Sequence, residues 1–270
     1  MSAGNPKTQN LKAQTLTTGR SKARLFVEEP LAADAVLTLA GSQANYLVNV
    51  MRVQPGDTLL LFNGRDGEWQ ARVAHGRRQA CTLTVARQVR PQRAEPGPWL
   101  VFAPIKKTAV DFLVEKATEL GVCGLWPVFT LHIAASRVNL ERLRAHAIEA
   151  SEQCERLTVP SIESPLQLGE LVQQWPPDRP LLVLDERGGG APIADVAAGR
   201  RRDLPPGILV GPEGGLAALE LDALAQLPFV TRVTLGPRIL KAETAALAAL
   251  ACWQAIAGDG SEPPPPRDGR

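Results

Sequence analysis

Residues 209–216 read LVGPEGGL and residues 234–247 read TLGPRILKAETAAL. In both, an apolar run meets a glycine turn and then a stretch that favours helix. Strand, glycine turn and helix in that order make one half of a parallel α/β unit. Ligands of such sheets sit at the carboxyl ends of the strands. Gly211, Gly214 and Gly215 allow a close backbone approach and a positive φ. The helix that follows offers free N–H groups at its start. Neither turn has the spacing of a phosphate-binding loop, and no Lys-Ser or Lys-Thr pair follows. Read alone, LVGPEGGL is equally compatible with an ordinary strand–helix turn. In the second turn, Leu235-Gly236-Pro237 is stiff and holds its backbone polar groups at fixed positions. Those groups can read the edges of an adenine, with Ile239 and Leu240 against its faces. Glu243 and Thr244 stand where a helix start is capped.

Upstream the same rhythm persists. WLVFAPI (99–105) is an apolar strand, TAVDFLVEKATELGV (108–122) an amphipathic helix ended by Gly121, and LWPVF (125–129) a strand. NLERLRAHAIEASEQC (139–154) is a long helix. PLLVLDE (180–186) is a strand that runs into glycines, LAALELDALAQ (216–226) a helix, FVTRVTLG (229–236) a strand and ETAALAALACWQAIAG (243–258) the last helix. The region is α/β with a mostly parallel sheet. Residues 244–257 leave only Thr244 and Gln254 polar, so that helix must be covered on most sides.

Before residue 91 the rhythm is different. RLFV (24–27), AVLTL (35–39), TLLLF (58–62), EWQARV (68–73) and CTLTVARQV (81–89) are short strands separated by turns, with a short helix expected over 42–52. They suggest a small β-barrel at 24–92. PQRAEPGP (91–98) is a proline-rich break before a second domain at 96–258. Residues 1–23, without acid or apolar core, and 259–270, with four consecutive prolines, read as a disordered leader and tail.

Residues 1–95 carry 13 Lys and Arg against 7 Asp and Glu; the remainder carries 17 against 21. The basic first third suits a polyanion. Chance clustering with a basic leader explains the same numbers. The four cysteines form no C-x-x-C pair and do not cluster with the three histidines, so neither a disulfide framework nor a metal site is expected. No apolar run is long enough to span a bilayer, and a cytoplasmic location is expected.

The two glycine turns together, about 20 residues apart, resemble the RsmE family of the SPOUT methyltransferases, the ribosomal small-subunit rRNA uridine N3-methyltransferases. KKTAVDFLVEKATELGV (106–122) and EASEQCERLTVP (149–160) are similar to further stretches of that family, and RLFV, VNVMRVQPGD and FNGRDGEW to its N-terminal barrel. The resemblance spans roughly residues 24–257. Leu216 stands where the family favours Phe, and Lys241 where Arg is usual. After Thr130 the family usually shows Glu-Arg; this chain has Leu131-His132, and Ser136-Arg137 is a candidate to stand in after a short shift.

The resemblance implies a trefoil-knotted SPOUT domain preceded by a PUA-like β-barrel that binds RNA. It implies S-adenosylmethionine (S-adenosyl-L-methionine) as methyl donor, a homodimer, and 16S rRNA of the 30S subunit as partner, with N3 of uridine 1498 as target. The cofactor-binding residues would be Leu209, Val210, Gly211, Pro212, Glu213, Gly214, Gly215, Leu235, Gly236, Arg238, Ile239, Leu240, Glu243, Thr244 and Ala245. Arg238 is the first candidate for steadying charge on the uracil, and Arg156 the second. Glu152, Glu213 or water would take the N3 proton. Arg24, Arg52, Arg65, Arg72, Arg77 and Arg78 would hold RNA phosphates, and Trp69 and Tyr46 are candidates to stack on bases or to fill the barrel core. A SPOUT enzyme with another target, such as a ribose 2′-hydroxyl, and a non-catalytic RNA-binding assembly factor are the competing readings.

Overall fold

The computed structural model describes residues 21–77, 80–133, 137–200 and 203–264. Arg78, Ser136, the leader to residue 20 and the tail from residue 265 lie outside the described residues.

The N-terminal sheet contains β1 (Arg24–Phe26), β2 (Val36–Ala40), β3 (Thr58–Phe62), β4 (Glu68–Arg77) and β5 (Ala80–Arg90), in the order β1-β3-β4-β5-β2. β1 pairs parallel with β3 and the other pairs are antiparallel. The alternation seen in the sequence decides which face is buried. Leu37 and Leu39 of β2 point inward while Val36, Thr38 and Ala40 are exposed. With Leu59, Leu61, Ala71, Val73, Leu83 and Val85 they fill one apolar core. The expected single helix over 42–52 is split: α1 (Gly41–Asn45) continues as one π-helical turn, Tyr46–Val50. Leu47 stays buried, and the wider turn leaves Tyr46 and Val50 exposed.

The second sheet is built from β6 (Trp99–Phe102), β7 (Gly124–Phe129), β8 (Ser161–Ile162), β10 (Leu181–Leu184), β11 (Ala191–Pro192), β12 (Gly207–Val210) and β13 (Val230–Thr234), in the order β11-β13-β10-β12-β6-β7-β8. Every pairing is parallel, and the short β9 (Leu166–Gln167) also pairs with β7. A parallel sheet needs cover on both faces. On one face α2 (Lys107–Glu119), α3 (Leu140–Gln153), α5 (Ile193–Ala198) and α7 (Ala242–Ile256) meet Leu100, Phe102, Ile208 and Val210. On the other, α4 (Leu168–Gln174) and α6 (Ala218–Ala225) meet Val101, Val183 and Leu209. α2 buries Val110, Leu113, Val114 and Ala117, the i, i+3, i+4, i+7 set of an amphipathic helix. The Asn139 side chain caps α3 by accepting from the Arg142 N–H at 3.0 Å.

Among the described residues no helix is long and apolar enough to cross a membrane. Residues 91–98 form neither helix nor strand. They are nonetheless tied down: the Glu95 carboxylate accepts from the backbone N–H groups of Leu157 and Thr158, at 3.0 and 3.1 Å. Residues 259 and 260, placed by the sequence reading in a disordered tail, are held to the fold. Gly260 donates to the Gln254 carbonyl at 3.0 Å and Asp259 to the Gln254 side chain at 3.2 Å, so this stretch folds back on α7.

Candidate active site

β13, β10 and β12 lie side by side, so the loops leaving their carboxyl ends converge. These loops, at 185–190, 211–217 and 235–241, frame a cleft of about 290 Å³. Sites for small organic ligands begin near ~300 Å³. Val210, Gly211, Pro212, Glu213, Gly215, Leu235, Gly236, Arg238, Ile239, Leu240 and Ala245, all expected from the sequence, line it. Leu209 does not. It is fully buried against the α4–α6 side, because neighbouring strand residues face opposite ways. Gly214, Glu243 and Thr244 are close in sequence but outside the lining.

Leu184, Asp185, Glu186, Gly188 and Lys241 also line the cleft, and sequence reasoning missed them. The available signal was the same strand-to-glycine pattern, VLDERGGG (183–190), which no motif singled out. Gly215 has φ of 70°, and a Cβ there would overlap the Glu186 carboxylate. The two loops touch because that residue is glycine.

Charges around the cleft divide in two. Asp185 is buried and braced: burial works against its carboxylate, but hydrogen bonds from Arg232 and the Arg187 N–H overcome this and hold its pKa below the ordinary value. Glu186, Glu213, Arg238 and Lys241 line the cleft, and their side chains make no hydrogen bond or ion pair among the described residues. Arg238 and Glu213 are exposed, and Ile239 beside them is 83% exposed. Apolar walls of Val210, Leu216, Leu235, Leu240 and Ala245 surround these charges.

Arg156 and Glu152 are not at this cleft. The Arg156 guanidinium is buried and donates to the carbonyls of Thr118 and Val122 at 2.9 and 2.7 Å, closing the carboxyl end of α2. It also lies 3.6 Å from Glu95. With its donors directed at these carbonyls and at Thr158, Arg156 braces the fold away from the cleft lining. Glu152 accepts from the Phe26 N–H at 2.9 Å. Burial pushes its pKa up, against the opposing pull of that hydrogen bond and of Arg24.

Arg24 belongs to the same junction. It donates to Glu68 at 2.6 Å and to the Ser151 carbonyl at 2.8 Å, and its guanidinium stacks 3.8 Å over Phe62. Its side chain is 8% exposed, so it is withdrawn from any phosphate. The remaining described basic candidates are exposed: Arg52, Arg65, Arg72 and Arg77. Arg65 donates to the Glu28 carbonyl. Trp69 donates to the Asp66 carbonyl at 2.7 Å and packs on the barrel core, whereas Tyr46 is exposed.

The model of an RNA methyltransferase domain matches residues 95–254, and that of an RNA methyltransferase PUA domain matches residues 39–86. The ribosomal RNA small subunit methyltransferase E of Rickettsia conorii is 31% identical over 232 residues, covering 84% of this chain and 93% of the relative. The protein of that name from Synechocystis is 33% identical over 241 residues, covering 86% and 77%. Among solved structures, the ribosomal RNA small subunit methyltransferase E of Neisseria gonorrhoeae, bound to S-adenosylmethionine, aligns with a TM-score of 0.79 at 25% identity over 88% of this chain and 99% of its own. A Legionella pneumophila structure at 24% identity, with a TM-score of 0.78 over 87% and 98%, has the same fold. A PUA-like sheet followed by a parallel α/β domain of SPOUT type, with this cleft at its strand ends, makes the chain a member of the ribosomal RNA small subunit methyltransferase E family.

Proposed function

We propose that this chain transfers a methyl group from S-adenosylmethionine to N3 of uridine 1498 in 16S rRNA. The observation that carries the reading is the meeting of three glycine-bearing loops around Arg238, Glu213 and Glu186, whose side chains have no partner among the described residues. The residues present suit the donor. Apolar walls fit an adenine, and the free carboxylates of Glu186 and Glu213 suit a sulfonium and an ammonium group. The same carboxylates repel a polyphosphate. Val210, Gly211, Leu235 and Leu240 would hold the nucleoside, which supplies an electrophilic methyl carbon.

This chain's own residues must then make N3 a better nucleophile. Uridine N3 carries a proton at neutral pH. Arg238, exposed and without a partner among the described residues, can donate to the uracil oxygens where negative charge gathers. Glu213, on the facing loop, is the proton acceptor in this reading, and Glu152 is withdrawn from that role by its bond to Phe26. The target edge is the pairing edge, so the base must be unpaired or pulled out of a helix. Arg72 and Arg77 on the N-terminal sheet, and Arg52 in the loop before β3, would hold the flanking phosphates.

A homodimer and a trefoil knot go with this reading. The outward side of α7 shows Thr244, Ala251, Ala255 and Ile256, a smooth strip that a second copy can cover. Light scattering should give twice the chain mass at micromolar concentration; a monomer refutes the dimer.

The test of function is labelled methyl transfer to small subunits from cells lacking the activity. The expected product is one N3-methyluridine, read as a primer-extension stop at a single uridine. A methyl on a ribose would reassign the target, and no transfer would leave an RNA-binding protein without this chemistry.

A further inference from the structure

The loop 130–133 carries the chain's main departure from its family, and it is fastened to the glycine turn at two points. Glu220 makes the first. Its Oε1 accepts from the Leu131 N–H at 2.8 Å, and its Oε2 accepts from the Ala217 N–H at 2.8 Å. One carboxylate thus joins the loop to the start of α6. His132 makes the second: its Nδ1 lies 3.2 Å from the Gly215 carbonyl oxygen. A carbonyl can only accept, so Nδ1 carries the proton.

This contact fixes more than a tautomer. In a trans peptide the C=O and N–H point opposite ways. Holding the Gly215 carbonyl toward His132 therefore turns the Leu216 N–H away from His132. The Leu216 nitrogen lies 3.2 Å from the position a Cβ would take on Gly211, a residue of the cleft wall. No hydrogen bond to the Leu216 N–H occurs among the described residues. Among the described residues it is a donor without a partner, in a turn whose residues line the cleft.

We infer that His132 is a positioning residue: it pins the Gly215–Leu216 peptide so that the Leu216 N–H serves the methyl donor. The inference rests on reading the cleft as the S-adenosylmethionine site. His132 touches neither donor nor RNA in this account. It acts through the backbone, standing where the family usually has arginine.

The test compares the wild-type chain with His132→Ala, His132→Asn and His132→Gln. The probe is S-adenosylhomocysteine binding by calorimetry, with KM for S-adenosylmethionine, kcat and the melting temperature alongside. Asn carries its amide nitrogen the same number of bonds from Cβ as Nδ1, so it can restore the bond; Gln is one bond longer. The Ala variant should bind about 5–10-fold more weakly, the worth of one hydrogen bond. Its KM should rise while kcat and melting temperature hold. Asn should recover binding to within about twofold of wild type, and Gln should not. Wild-type affinity in the Ala variant, or an Asn variant no better than Ala, overturns the inference while leaving the cleft assignment intact. A lowered melting temperature that accounts for the lost affinity also overturns it. If the wild-type chain binds no S-adenosylhomocysteine, the reading of the cleft falls and the inference with it.

Discussion

The cleft at the strand ends and the junction beneath the N-terminal sheet use similar residues in opposite ways. At the cleft, Glu186, Glu213 and Arg238 have no side-chain partner among the described residues and are flanked by glycine loops. At the junction, Glu68, Arg156 and the Arg24 side chain are buried, Glu95 is half-buried, and every one is paired. Motif residues occur in both regions. A charge left unpaired at an open site is satisfied by water and stays available to a ligand. A charge that is buried must be satisfied by the protein itself, since an unpaired one costs several kcal/mol. Partnership therefore sorts these residues into those left open to a ligand and those that hold two sheets together.

The comparison is broken most severely at Arg24. Arg24→Ala leaves Glu68 buried with its chief partner gone, and should destabilise the chain by about 3–5 kcal/mol. Thermal unfolding should show a fall of about 10 °C, while the folded fraction keeps its donor affinity. Arg238→Ala should do the reverse. Its kcat should drop by about 100-fold, the effect of losing one well-placed donor to a developing oxyanion, with no change in melting temperature. If Arg238→Ala unfolds the chain, or Arg24→Ala spares its stability, the division between the regions is wrong.

Two carboxylates sharpen the comparison through pH. Asp185 has a lowered pKa, so the stability it contributes is present above the ordinary value of 3.8 and is lost as pH falls below it. Asp185→Asn should flatten that acid limb in melting curves from pH 7 to pH 3. Glu152 has a raised pKa, so its ionised form is disfavoured in the fold; its contribution is present below the ordinary value of 4.5 and is lost as pH rises above it. Glu152→Gln should therefore gain stability relative to wild type toward neutral pH. A shared direction for the two variants would contradict the assigned environments.

The smallest effects belong to the basic sheet. Arg72→Ala and Arg77→Ala should each reduce the slope of log affinity against log salt for rRNA by about one, with no change in donor binding. Fluorescence titration at several salt concentrations reads this directly.

The sequence disclosed the cleft more fully than the junction. Glycine turns after apolar strands report a local backbone requirement, so Gly211, Gly215 and Gly236 could be placed without tertiary information. The loop at 185–190 obeys the same rule, but three glycines without a motif attracted no role. The junction could not be read in this way. Whether Arg24 or Arg156 is exposed depends on contacts more than 30 residues apart, such as Arg24 with Ser151 and Arg156 with Val122. A single sequence carries no mark of that burial. The helices α4 and α5 were missed for another reason: at 7 and 6 residues they are too short for helical periodicity to register. His132 gained meaning only when its ring was found on the Gly215 carbonyl.

The most direct test of the central claim is a crystal structure with S-adenosylhomocysteine. The nucleoside should lie among the loops at 185–190, 211–217 and 235–241, touching Gly211, Leu235 and Leu240, with Arg238 facing the open side. A ligand seated instead against Arg156 and Glu95 at the junction, or an empty cleft at saturating concentration, would contradict the account.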